Sequence, residues 1–289
     1  MIDADGEAPT NALLSRELSR AAQVVIVEAA PNQLDRADAA RIVLRGGEIA
    51  DLAGVLAIVD GGTGDHCRCL GWPTILLLDG EGTQLACWTL HHQTGLRGPG
   101  NCDADLRDGP VLSEWLARRG LAGSLRVQQH LAAVRAREEA RRRSWVDAAP
   151  ADLTSAAESA SLGKRGAETR LAGAVMRRYP EVRERIRVLL GWAGFTVRYA
   201  GGTPWHELIP QRILLQEPSE AVFTALAAAP LSVAQLDGAA ELFTSFEWTQ
   251  ADPPALPEAL RATLISHVTA VGTEPMKFRM HYGYGAPAA

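Results

Sequence analysis

Lysine is nearly absent: Lys164 and Lys277 are the only lysines among 29 basic residues, and arginine supplies the rest. With Ala, Gly and Leu also abundant, this bias fits a GC-rich bacterial genome better than a physical demand. No apolar run approaches the ~20 residues a membrane helix needs, so no membrane partner is expected. The first residues are acidic and lack a basic stretch followed by an apolar core. They do not read as a secretory signal, and the expected location is cytoplasmic. The formal net charge of −5 argues against nucleic acid as a partner. Four cysteines in a reducing compartment do not make a disulfide framework. There is no serine nucleophile elbow, no glycine-rich phosphate loop and no His-Glu-x-x-His pattern. No carboxylate pair suggests glycoside chemistry, and no fixed-period repeat appears.

What is present is an ordinary globular composition, 47% apolar and 22% charged, over 289 residues, enough for two domains. Residues 10–20 read as a short helix. The β-branched run at 23–28 reads as a buried strand. Residues 35–44 have helical spacing, 56–60 read as a second strand, and 75–78 with 84–90 read as a hairpin around Asp79-Gly80-Glu81-Gly82. Residues 110–119 form an amphipathic helix stopped by Gly120. The pattern over 23–120 is β-α-β-β-β-α, an α/β domain occupying residues 1–120. Strand signals then fade. Residues 121–147 read as a long Arg-rich connecting helix, 148–166 as a small, polar linker, and 167–289 as an all-α domain of short helices with a loose tail.

The cysteines are clustered: Cys67, Cys69, Cys87 and Cys102 fall within a short window that also holds His66, His91 and His92. Cys67 and Cys69, one residue apart, can chelate a soft cation such as zinc or act as a thiol pair. His66 offers a further ligand, and His91, His92 or Cys102 could complete a tetrahedral site. An antiparallel hairpin places the end of its second strand beside the start of its first, which brings 91–92 near 67–69. Neighbours on a strand point to opposite faces, so one of the two histidines, His91, is expected to join. Cys87 reads as a small core residue. Arg97, Asp103, Asp105, Arg107 and Asp108 read as a solvated loop, and the basic run 135–143 as a solvated helix face. His130, His206 and His267 read as structural, and the loop around Trp205-His206 as a weak pocket candidate.

The run Gly71-Trp72-Pro73-Thr74-Ile75-Leu76-Leu77-Leu78-Asp79-Gly80-Glu81-Gly82 resembles the thioredoxin family, where Gly-x-Pro-Thr leads into an apolar strand and hairpin. The resemblance spans residues 23–120. It implies a cis Pro73 and a groove flanked by Trp72, Pro73 and Arg97. The segment where the family carries Cys-x-x-Cys reads Ala29-Ala30-Pro31-Asn32-Gln33-Leu34, so the resemblance is to a degenerate thioredoxin-like domain without dithiol activity. Three functions are expected in order. The first is a non-catalytic protein that binds a protein or peptide partner. The second is a thiol-redox or zinc-dependent enzyme or sensor using Cys67 and Cys69. The third is a structural zinc site.

Overall fold

The computed structural model describes residues 7–63, 68–195, 202–251 and 254–285. The chain divides into two units, Met1–Ala136 and Arg137–Ala289. In the first, α1 (Asn11–Arg20) precedes β1 (Gln23–Val27), β2 (Arg41–Arg45) and α2 (Gly47–Val55). The hairpin β3 (Thr74–Leu78) and β4 (Gln84–His91) follows, then the short strands β5 (Gly95–Arg97) and β6 (Ala104–Asp105), then α3 (Gly109–Ala117). Helix α4 (Gly123–Asp147) begins in the first unit and ends in the second.

The six strands form one sheet in the order β2-β1-β3-β4-β5-β6, and every pairing is antiparallel. Register places Leu44, Val24 and Leu77 in one cross-strand row and Ile26, Ile75 and Trp88 in another. These side chains are buried together with Leu14 and Leu18 of α1, Leu52 of α2, and Leu112 and Leu116 of α3. Alternation along each strand therefore gives the sheet one core face, covered by three helices. Val25, Leu76 and Cys87 share a row on the other face and are half-buried. The Trp72–Pro73 bond, just before β3, is cis.

Two elements differ from expectation. Residues 35–44 do not form a helix. Residues 31–33 make a single 3-10 turn, and residues 41–45 are strand β2, paired antiparallel with β1. The β-branched pair Ile42 and Val43 and the stop at Gly46, with φ +53°, favour the strand. Without a crossover helix the two strands cannot run parallel. Residues 56–60 contribute only an isolated bridge from Ile58 to Leu106. The run is caught between the end of α2 and Gly61 and is too short to extend.

The second unit is helical throughout its described residues. It contains α5 (Thr154–Ser161), α6 (Ala167–Arg178), α7 (Val182–Ala193), α8 (Ile209–Leu214), α9 (Ser219–Ala227), α10 (Val233–Phe243), α11 (Phe246–Gln250), α12 (Glu258–Val271) and α13 (Glu274–Tyr282). Residues 148–166, expected as a linker, carry α5, whose Ala157 and Ala160 are buried in the core. Small residues there allow close packing rather than chain flexibility. The expected loose tail carries α13, anchored by buried Met276 and an Arg279–Glu241 ion pair at 2.6 Å. Gly194 and Gly238 let α7 and α10 touch backbone to backbone, since a Cβ on Gly238 would stand 2.0 Å from the Leu190 carbonyl oxygen. Among the described residues no helix is long and apolar enough to cross a membrane.

His206 is buried in this unit, its ring edge-on to Trp145 at a centroid distance of 5.3 Å. Burial holds its imidazole pKa below the ordinary value. The unfolded chain therefore binds the proton more tightly, and stability present above about pH 6.5 is lost as pH falls below that value. Denaturant unfolding at pH 7.5 and 5.5 is expected to show a smaller loss in His206→Gln than in the parent chain. Equal losses would contradict this role for His206.

Candidate metal centre

Strand β4 ends at His91, and the chain reverses into β5 through His91-His92-Gln93-Thr94, closed by the Thr94 N–H donating to the His91 carbonyl at 3.1 Å. His92 and Gln93 both have positive φ, +50° and +61°. Two consecutive left-handed residues make the turn that fits the strand twist, and glycine or asparagine ordinarily fills it. Gln93 is buried and holds this turn in place. Its Nε2 donates to the Trp72 carbonyl at 2.8 Å, and its own carbonyl accepts from Gln128 Nε2 at 2.8 Å. The Trp72 N–H donates in turn to the Leu90 carbonyl at 2.8 Å.

The segment carrying Cys69 is thereby laid against the end of β4. Gly71, with φ +74°, is required for this approach, because a Cβ there would lie 2.7 Å from the Leu90 carbonyl oxygen and 2.8 Å from Thr89 Oγ1. The result is a cluster in which one ligand-type atom each of Cys69, His91 and His92 lies within 4.8 Å of the others. Cys69 Sγ is 3.7 Å from His92 Nε2. A tetrahedral zinc with bonds of about 2.3 Å to sulfur and about 2.0–2.1 Å to nitrogen would separate those two atoms by about 3.6 Å. The pair is thus already spaced for a shared cation. The His91 and His92 rings meet edge-on at 4.1 Å.

Behind the cluster lies a charged clamp. Asp103 is buried, with a relative exposure of 4%. It accepts from Arg97 Nε and Nη2 at 2.7 Å each, and His91 Nδ1 stands 3.3 Å from its Oδ2. Arg97 Nη2 is also 3.3 Å from His91 Nε2, and Arg97 Nη1 donates to the Cys69 carbonyl. A guanidinium only donates, so His91 Nε2 accepts and Nδ1–H points to Asp103. A carboxylate on one ring nitrogen is the arrangement that orients metal-binding histidines, and the Arg97 guanidinium that here holds the Nε2 lone pair has to turn away before that nitrogen can bind a cation.

The expected site residues divide accordingly. Cys69 and His91 come together. His66 and Cys67 lie outside the described residues. His92 joins as well, against the alternation argument, because it sits in the turn and not on the strand. Cys102 is half-buried beside Gly62 and is not part of the cluster. Cys87 lies within β4, where burial pushes its thiol pKa up. Arg97 and Asp103 are not a solvated loop but a partly buried ion pair. Trp72 lines a groove of about 730 Å³ that Cys69 and His92 also line. Pro73 is buried, and Arg97 faces Asp103. The glycines and proline at 95–101 mark a loop in the sequence, but nothing there signals a buried carboxylate. In the second unit, Trp205-His206 forms a 3-10 turn whose His206 and Glu207 are buried, and His267 pairs with Asp237 at 2.8 Å.

Comparisons with protein-family models, with curated proteins and with solved structures return no match for this chain.

A histidine held at φ +50° costs stability that a glycine would not, of order 1 kcal/mol after allowing for the freer unfolded chain. In metal-free protein, His92→Gly is expected to raise stability by about 0.5–1 kcal/mol, read by chemical denaturation. A loss of similar size would mean that the His92 ring contributes to the fold and is not retained at the fold's expense.

Proposed function

We propose that the N-terminal unit is a ligand-binding module built around a zinc-type metal centre of Cys69, His91 and His92. The observation that carries this reading is the convergence of one sulfur and two imidazole nitrogens within 4.8 Å. A thiolate with two neutral imidazoles is a borderline-soft donor set suited to zinc. Two of the three ligands line a groove, and among the described residues no fourth side chain completes the set. The groove beside Cys69 and His92 supports a site that meets a ligand; His66 and Cys67, next to Cys69 in the chain, lie outside the described residues.

Binding is also favoured over catalysis. Asp103, the carboxylate nearest the cluster in these contacts, is committed to Arg97 and His91 and is poorly placed as a general base. The thioredoxin-like reading draws support from the sheet order β2-β1-β3-β4 and the closing helix α3. The antiparallel β1–β2 pair sets this unit apart from a β-α-β arrangement. A protein or peptide partner presented along the same groove belongs to this proposal.

Metal per chain in the purified, tag-free protein is the direct test. About one zinc per chain is expected, and it should be lost in Cys69→Ser and in His92→Ala. No metal in protein prepared without chelators, or full retention in both variants, would contradict the centre. Asp103→Asn keeps all three ligands but removes the oriented charge behind His91. It is expected to weaken zinc affinity about 10–100-fold in a competition titration with a chromogenic chelator. Unchanged affinity would mean that Asp103 does not orient His91.

A further inference from the structure

We infer that Arg97 is a built-in competitor for the metal: it occupies the His91 lone pair in the metal-free protein, lowers the affinity with which a cation binds there, and keeps the bound metal exchangeable. This rests on the metal centre proposed above. A neutral imidazole has one lone pair in the ring plane, on the nitrogen that carries no proton. His91 Nδ1 faces Asp103 Oδ2 at 3.3 Å, so the lone pair lies on Nε2. Arg97 Nη2 stands 3.3 Å from that atom. A cation on His91 Nε2 and the guanidinium therefore exclude each other.

The placement of Arg97 makes the exchange feasible. It pairs with Thr89 across the β4–β5 ladder, two residues before His91. From there its planar fork serves three groups at once: Asp103, His91 and the carbonyl of Cys69. Asp103 is buried and needs a counter-charge whether or not a metal is present. It accepts from Arg97 Nε as well as Nη2, at 2.7 Å each, so the guanidinium has an anchor when it leaves His91. The Arg97 side chain is 23% exposed, which gives the withdrawn end a route to water. Metal uptake then costs one charge-assisted hydrogen bond, and that cost is subtracted from the affinity of the three ligands. A lysine at this position would be a point charge without the fork. It would neutralise Asp103 but leave the His91 lone pair open.

The test uses the full chain and zinc alone. Affinity, read in competition with a chromogenic chelator, is compared between the parent and Arg97→Lys, which keeps the charge opposite Asp103 and gives up the fork. Zinc is expected to bind about tenfold more tightly to Arg97→Lys. A crystal structure of the zinc-loaded parent is the second measurement, and it decides alone if Arg97→Lys does not fold. It is expected to show zinc on Cys69 Sγ, His91 Nε2 and His92, with Arg97 still on Asp103 but out of hydrogen-bond reach of His91. Equal or weaker zinc binding in Arg97→Lys overturns the inference and makes Arg97 a residue that only positions the site. Zinc held by Cys69 and His92 while Arg97 keeps His91 Nε2 also overturns it. Either result leaves a metal site at Cys69 and His92 standing. No zinc uptake by either protein, or zinc bound away from Cys69 and His92, overturns the metal centre and this inference together.

Discussion

A carboxylate with almost no access to water must be paired, and the metal-centre region of the first unit is organised around one such group. Asp103 lies just before β6, and Arg97 closes β5. Their fork of two 2.7 Å bonds joins the two short strands at the sheet edge. The same guanidinium reaches His91 and the carbonyl of Cys69, so one cation fixes a strand end, a turn and an incoming loop together. An isolated ionised group at that depth would cost several kcal/mol, and the fork removes that cost by geometry rather than by solvent.

The turn at His92 and Gln93 is the second constraint, and it acts against local preference. Both residues occupy the left-handed region that glycine or asparagine normally fills. Gln93 repays its conformation through two hydrogen bonds, to Trp72 and from Gln128. The His92 side chain faces Cys69 and His91. Residues held in sparsely populated backbone regions cluster at functional sites. That is the physical reason to place the chemistry of this protein at the β4–β5 turn.

Much of the fold was legible in residue patterns, and the failures have identifiable causes. Val24 and Ile26, Ile75 and Leu77, and Trp88 and Leu90 alternate as a half-buried sheet requires, and the hairpin at Asp79-Gly80 followed from its turn residues. The helices at 168–179, 181–195, 219–229, 232–246 and 257–271 were visible as amphipathic runs ended by Gly or Pro, and α6, α7, α9, α10 and α12 fall there. Residues 41–45 were misread because Ala and Ile at helical spacing also fit an edge strand, and pairing with β1 decides between them. Of the site, Cys69 and His91 were readable from clustering and hairpin geometry. His92 was not, because the alternation rule holds on a strand and fails one residue past its end. Asp103 was hidden among other loop charges, since nothing in a single sequence separates a buried aspartate from its solvated neighbours Asp105 and Asp108.

In the proposed binding module the sheet supplies rigidity, the edge strands a charged clamp, and the β4–β5 turn two of the three candidate metal ligands. Its central claim is that one thiolate and two imidazoles share one cation. X-ray absorption at the zinc edge of the metal-loaded full chain tests this most directly. One sulfur at about 2.3 Å and at least two nitrogens at about 2.0–2.1 Å are expected in the first coordination shell. A shell without sulfur, or one without imidazole scattering, would contradict it.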